Sequence, residues 1–398
     1  MGRAVDYELD RTDRAVVNAF QGGFPVVRRP FDPAAAALRD RGVQVSAEEL
    51  VERIRTLDDE GVLSRFGSLV NAQKIGGTAT LVAMHAPEER FDEVAEQVNA
   101  HREVAHNYER EHPHLNMWFV LSVADGEDET AAERVDAVLA EIEAETGQET
   151  YNLPKQQEFR VEAKFYLDGP IADGDLDLTG LGPSVEPSGR KSLTPRERDL
   201  VLEIQDGFAV TATPYLDVAE TLGEDVDWVV ETVRRFEREG KVRRVGVIPN
   251  HYALGYTENG MTVWDVPDEV VDEVGPAVAA LPFVTHCYRR PRHEGVWPYN
   301  FFAMTHGRSE EESEARIERV RETMAEHWDV DPERASRAEG DANWDTLFST
   351  RILKKTGIRL DERAAANTDE SAGDGDRERD RSPVSDDERA DDDATRSG

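Results

Sequence analysis

The sequence predicts an α+β chain made by tandem duplication, and three observations carry that prediction. Arg65-Phe-Gly-Ser-Leu-Val-Asn71 followed by Gly76 matches Arg244-Val-Gly-Val-Ile-Pro-Asn250 followed by Gly255 in order and spacing. His106-Asn-Tyr-Glu-Arg110 leading to Asn116-Met-Trp-Phe-Val120 has its counterpart in His286-Cys-Tyr-Arg-Arg290 leading to Trp297-Pro-Tyr-Asn-Phe-Phe302. Around both pairs, helical periodicity comes first and alternating strand and helix patterns follow, in the same order. The copies span about residues 8–167 and 190–360, each long enough to bury its own core. Residues 168–189 between them are rich in Gly, Pro, Ser and Asp and read as a linker.

Each copy opens with a helical unit, over 8–70 and 190–248. Leu9, Ala15, Val16 and Phe20 fall near one face of a first helix. Ser46 with Glu49 three residues on forms a capping box for a helix running to Leu57. In the second copy Thr194, Pro195 and Glu197 give cap, first-turn proline and box closure. Val229, Val230, Val233 and Phe236 then mark the counterpart of the second helix. Gly61 and Gly240 end the units in turns that lead into short strands. The first copy carries an additional stretch, Gly22-Gly-Phe-Pro-Val-Val-Arg-Arg-Pro-Phe31, read as an insertion.

The second part of each copy, 71–167 and 249–360, alternates β-α-β-β-α-β. The first copy gives strand 79–85, helix 89–99, strands 104–109 and 116–123, helix 129–146 and a last strand around 158–165. The second gives 257–266, 271–281, 284–289, 301–305, 310–328 and 348–352 in the same order. From about Ala364 through the 364–398 stretch there is almost no large apolar side chain, which predicts a disordered acidic tail.

The net charge is −36, and lysine is scarce, seven residues against forty arginines. Acidity spread over both halves is a hydration strategy for concentrated salt, a halophilic reading, and it repels phosphate backbones. The lone Cys287 rules out an internal disulfide. No apolar run is long enough for a bilayer and no export signal opens the chain, so a cytoplasmic protein without membrane contact is expected.

This architecture resembles the winged helix-turn-helix plus ferredoxin-like units of the Lrp/AsnC regulators. That resemblance makes DNA binding the first hypothesis, and charge opposes it. The helix after Ser46 carries Glu48, Glu49, Glu52, Asp58, Asp59 and Glu60 against Arg53 and Arg55. Helices that read DNA are rich in Arg, Lys, Asn and Gln. Nucleic acid is therefore not expected as a partner, and the stretch at 22–31 would displace the docking turn.

The 22–31 stretch, His106-Asn-Tyr-Glu-Arg110 with Asn116-Met-Trp-Phe119, His251 within Asn250-His-Tyr-Ala-Leu-Gly-Tyr256, and His286-Cys-Tyr-Arg-Arg-Pro291 with Trp297-Pro-Tyr-Asn300 and His306-Gly-Arg308 together resemble the siroheme decarboxylases. These are Lrp/AsnC-like heterodimers whose small-subunit and large-subunit types look fused here in that order. The resemblance covers about residues 8–360. It implies removal of CO2 from the C12 and C18 acetates of siroheme, giving 12,18-didecarboxysiroheme, with the two halves as an internal pseudo-dimer and further homo-oligomerisation open.

The chemistry is consistent with the residues present. An iron-bearing ring with eight carboxylates needs arginines for the carboxylates, aromatic walls for the ring and an acid to protonate carbon. Arg110, Arg289, Arg290 and Arg292 lie in sequence beside Tyr108, Tyr288, Trp118 and Trp297. His106, His286 or His293 is expected to deliver the proton, with imidazoles near neutrality. Tyr299, Asn300 and Asn116 join the expected substrate set. His251, where the first copy has Ala72, is the candidate axial ligand to the substrate's iron. With no cysteine cluster, phosphate loop or ligand triad in the sequence, no cofactor or metal of the protein's own is expected. The competing readings are a heme- or siroheme-sensing regulator and a tetrapyrrole carrier. Trp118 and Phe302 read equally well as core; for Asn116 and Asn300 the alternative is a backbone role at strand starts, and the family resemblance favours a substrate carboxylate.

Overall fold

The computed structural model describes residues 7–124, 130–171, 193–328 and 344–355. Most of the expected linker and all of the expected acidic tail lie outside the described residues. The first half folds as α1 (Arg11–Phe20), α2 (Phe31–Asp40), α3 (Ala47–Asp59), β1 (Leu63–Val70), β2 (Gly77–Met84), α4 (Phe91–Ala100), β3 (Val104–Arg110), β4 (Met117–Ala124), α5 (Ala131–Thr146), β5 (Thr150–Pro154) and β6 (Gln157–Val161). The second half repeats it as α6 (Pro195–Ile204), α7 (Pro214–Leu222), α8 (Val226–Arg238), β7 (Val242–Pro249), β8 (Glu258–Trp264), α9 (Val271–Ala279), β9 (Val284–Arg289), β10 (Phe301–Gly307), α10 (Glu310–His327) and β11 (Trp344–Lys355).

The caps form where the sequence put them. Ser46 Oγ accepts the Glu49 N–H, Thr194 and Glu197 cap reciprocally, and Gly61 and Gly240 adopt φ of 72° and 69°. Two features differ from expectation. Each helical unit has a middle helix, α2 or α7, that alanine-rich or short sequence left unmarked. The 22–31 stretch is no insertion either, because the second copy has a connection of nearly equal length between α6 and α7. Phe24 in that stretch packs edge-on against Phe20, Phe31 and Phe66, 4.9–5.1 Å between centroids for the first two and 5.0 Å for the third, so it fills the core.

The two halves are interlaced. β1 and β7 pair antiparallel with each other, Gly67 opposite Gly246, so the strand after each helical unit completes a ribbon shared by both copies. The remaining strands run β5-β2-β4-β3-β11-β8-β10-β9-β6. Each half contributes a four-stranded ferredoxin-like sheet, and β5, unmarked in the sequence, is the fourth strand of the first. The expected last strand at 158–165 forms as β6 but pairs with β9 of the other half, while the C-terminal part of β11 pairs with β3. Helices cover one face of each sheet. The opposite faces meet around Ala83, Trp118, Leu153, Met261, Val263, Trp297, Phe302 and Leu347, drawn from both halves. Among the described residues no helix is long and apolar enough to cross a membrane.

Candidate active site

Strand alternation places every second residue of β3 on the face between the sheets. His106, Tyr108 and Arg110 point there, whereas Asn107 faces the helices and donates to Asn99 Oδ1 at 3.1 Å. On β9 the same alternation presents His286 and Tyr288, with Arg290 just beyond the strand, while Cys287 is buried on the helix side. The rows match in detail. His and Tyr ring centroids stand 6.2 Å apart in the first and 6.0 Å in the second. The guanidinium carbon lies 5.6 Å from the Tyr108 ring and 4.9 Å from the Tyr288 ring. Arg110 donates to the Leu347 carbonyl at 3.0 Å, and Arg290 donates to the equivalent carbonyl of Leu153. In both arginines Nε is buried and, among the described residues, has no partner. Burial pushes both guanidinium groups down to about 10, partly offset by the neighbouring tyrosines. A buried cation with an unused donor is a receptor for an anion.

Around the second row the site is more elaborate. Thr285 Oγ1 lies 2.9 Å from His286 Nδ1 and 3.3 Å from His306 Nδ1, joining the two imidazoles. His306 meets His251 at 5.1 Å between centroids, and Phe165, which follows β6, stacks on His251 at 5.5 Å. The equivalents of Thr285, His306 and His251 in the first half are Ala105, Ser122 and Ala72. Only the second half therefore carries three neighbouring histidines. The loop bearing His251 also serves the first row: Asn259 donates to the Tyr252 hydroxyl at 2.9 Å, and Tyr252 bears electrostatically on Tyr108 and Arg110.

The imidazoles differ from the near-neutral groups the sequence suggested. Burial, reinforced by the Lys355 ammonium, holds His106 down at about 4 and His251 at about 3. Burial and then Arg243 hold His286 at about 4, and burial with the adjacent His251 keeps His306 well below its usual range. Neutral imidazoles among cations are what such a pocket contains before an anion enters. Burial raises the Tyr288 phenol and the Cys287 thiol, so neither is ionised and Cys287 is inert.

Other expected site residues lie elsewhere. Arg289, on the opposite face from Arg290, pairs with Asp268 at 2.9 Å. Arg292 pairs with Asp265 at 2.6 Å and Asp268 at 3.1 Å and donates to the carbonyls of Pro298 and Val266. The expected four-arginine cluster is thus two arginines, Arg110 and Arg290, because strand alternation turns the third outward and aspartates hold the fourth. Asn116 exchanges two hydrogen bonds with the Ala86 backbone at 2.8 Å, and Asn300 does the same with Val266 at 2.9 Å. These amides are splints at strand starts rather than free carboxylate donors. Trp118, Trp297 and Tyr299 are buried in the core between the sheets, with Trp118 and Trp297 4.9 Å apart. His293 Nε2 is 2.8 Å from the Asn152 carbonyl oxygen and packs on Tyr151.

Phe165, Lys155, Glu158, Arg243 and Lys355 were missed, while Tyr252 and His306 stood inside the quoted motifs without an assigned role. Glu158 binds Arg243 at 3.0 and 3.2 Å and also Lys155, whose ammonium is 5.5 Å from the Tyr288 ring. The one signal available in sequence was His306, four residues past Phe302 and so on the same strand face.

The class of protein follows from fold and comparison together. Two family models cover the chain: an AsnC-like ligand binding domain over 74–160 and 253–354, and a siroheme decarboxylase NirDL-like HTH domain over 13–63 and 197–243. A siroheme decarboxylase NirDL subunit from Paracoccus pantotrophus is 33% identical over 357 residues, covering 90% of this chain and 99% of that one. A NirH subunit from Stutzerimonas stutzeri is 47% identical over 163 residues, 41% of this chain and 89% of its own. The crystal structure of siroheme decarboxylase NirDL in complex with an iron-uroporphyrin III analogue superposes with a TM-score of 0.60 at 25% identity, covering 88% of this chain and 94% of that one. The chain is a duplicated AsnC-like protein with helix-turn-helix units. More particularly, it belongs to the siroheme decarboxylase family.

Proposed function

We propose that this chain is a siroheme decarboxylase that removes CO2 from the C12 and C18 acetates to give 12,18-didecarboxysiroheme. The observation that carries this reading is the pair of His-Tyr-Arg rows on β3 and β9, each ending in an arginine whose Nε is buried with its donor unused. Arg110 and Arg290 hold carboxylates of the ring. Tyr108 and Tyr288 lie against it, and His286 or His106 protonates the carbon that loses CO2. The only iron invoked is the substrate's, and the two halves suffice as an internal pseudo-dimer working in the cytoplasm. Anaerobic incubation with iron(II) siroheme, followed by mass spectrometry, tests it. Loss of one and then two CO2 is expected, and binding at unchanged mass overturns the enzymatic reading.

Charge also weakens the regulator alternative. On α3, Arg53 is engaged by Asp10, Asp13 and Glu49, and Arg55 by Glu52 and the Val210 carbonyl. On α8, Arg235 is held by Glu197 and Glu239. A phosphate would have to displace these partners.

Proton uptake should accompany substrate binding. A carboxylate brought beside an imidazole raises its pKa, so groups that burial holds near 4 move upward in the complex and take protons from neutral solution. Calorimetric titration in buffers of different ionisation enthalpy is expected to give net uptake near pH 7. Zero exchange would remove the histidines as the acid.

His251 is the reading's axial ligand to the substrate iron, since a neutral imidazole is the ligating form. His251→Ala is expected to shift the Soret band of the bound complex and change its spin state. An unchanged spectrum would pass the role to His306 or to neither.

A further inference from the structure

We propose that Lys355 is a substrate-binding residue whose ammonium takes one carboxylate of the tetrapyrrole at the His106 end of the site. This inference rests on the function proposed above. Lysine is rare in this chain, seven against forty arginines, and most described lysines have an evident local partner. Lys155 sits on Glu158, Lys164 on Glu162 and Lys241 on Glu239. Lys354 donates to the carbonyls of Asn99 at 2.7 Å and His101 at 2.9 Å, closing the C-terminal end of α4.

Lys355, one residue further on, points the other way. In the antiparallel pairing of β11 with β3 it stands opposite His106, whereas Lys354 stands opposite Asn107 on the helix side. Its ammonium lies 5.1 Å from the Tyr252 ring, and among the described residues it bonds no carboxylate. That is unusual in a chain with 83 acidic residues, where an exposed lysine readily finds one. Its charge instead bears on His106, His251 and His306, where it opposes their protonation. Such an arrangement is unfavourable until an anion arrives.

The second row makes the contrast. The residue opposite His286 is Val161, and the cations near Tyr288, Lys155 and Arg243, already share Glu158. The first row thus holds the unneutralised ammonium, and the second holds the additional histidines. A ring with acidic side chains on its whole periphery would find complementary charge at the first row and imidazole at the second.

The test compares Lys355→Gln, Lys355→Arg and Arg351→Gln with the parent chain, using anaerobic siroheme turnover and a siroheme absorbance titration. Arg351 lies on the same strand but pairs with Asp92 and Glu109, so its loss removes one positive charge outside the site. Lys355→Gln is expected to raise KM and Kd roughly tenfold or more with kcat within about threefold, the pattern of a lost charge-assisted hydrogen bond. Lys355→Arg should recover most of the affinity, and Arg351→Gln should match the parent. If the parent turns siroheme over and Lys355→Gln binds it equally well, the Lys355 assignment is wrong and the enzymatic reading stands. A parent that neither binds nor converts siroheme overturns both. Unfolding midpoints of all variants, expected to agree, separate lost binding from lost folding.

Discussion

Replacing His286 with alanine is expected to slow CO2 loss from siroheme by roughly 10²–10⁴-fold, the range for removing a positioned general acid, with a much smaller change in tetrapyrrole affinity. The reason is the company His286 keeps. Thr285 ties its Nδ1 to His306, which fixes the imidazole's orientation and leaves its other nitrogen for the substrate. His106 has no such tie, because Ala105 and Ser122 stand where the second half has Thr285 and His306, and among the described residues its buried Nδ1 has no partner. His106→Ala should therefore cost less, about tenfold, mainly through altered placement of the ring beside Arg110. Single-turnover anaerobic assays with the mono- and didecarboxylated species resolved by mass measure both variants. A His286→Ala rate within about threefold of the parent would move the proton donor to another residue.

Local signals were legible in the sequence; signals that depend on pairing between the halves were not. The caps at Ser46 and Thr194 and the glycine turns at 61 and 240 are decided within a few residues; the Thr194 box and both turns formed as read, and at Ser46 the serine half of the expected box formed. The His-Tyr-Arg rows were equally legible, because a period of two assigns alternate residues to one face. The same rule, applied with register, would have set Arg289 apart from Arg290. The aspartates that hold Arg289 and Arg292 come from the segment after β8, more than twenty residues away in sequence, and no periodicity announces them. The crossing of β6 to β9 and of β11 to β3 was also hidden, since strand pattern gives no partner. That crossing is what brings Phe165 and Lys355 to the site. The middle helix α2 was hidden because its start falls at Pro30 and Phe31, within the stretch read as an insertion, and no side chain caps it.

Gly246→Ala is expected to destabilise the protein by about 3 kcal/mol or to prevent folding, since a methyl group here meets backbone rather than a side chain that can rotate away. A Cβ on Gly246 would lie 2.4 Å from the Phe20 carbonyl oxygen, and one on Gly67 would lie 2.5 Å from Gly207 Cα. The two glycines face each other where β1 crosses β7, and each presses on the connection after the first helix of one unit. On the Gly67 side the approach is fixed by the Phe208 N–H donating to the Phe66 carbonyl at 2.7 Å. Moving the ribbon outward to admit a methyl would break that bond and unseat Phe66 from Phe24 and Phe208. Gly147→Ala supplies the comparison. Its φ of 70° makes a side chain strained there, but an added methyl meets nothing within 4 Å, so only about 1 kcal/mol should be lost. Urea unfolding of the three proteins decides the matter. Equal midpoints for Gly246→Ala and the parent would mean that the ribbon does not lie against the helical units as closely as described. Among the described residues the shared ribbon is one of three strand pairings joining the halves, with β3–β11 and β6–β9, and both of those carry site residues. Loosening it should therefore separate the rows on β3 and β9, so any Gly246→Ala protein that folds is expected to bind siroheme more weakly although no residue near the ligand has changed.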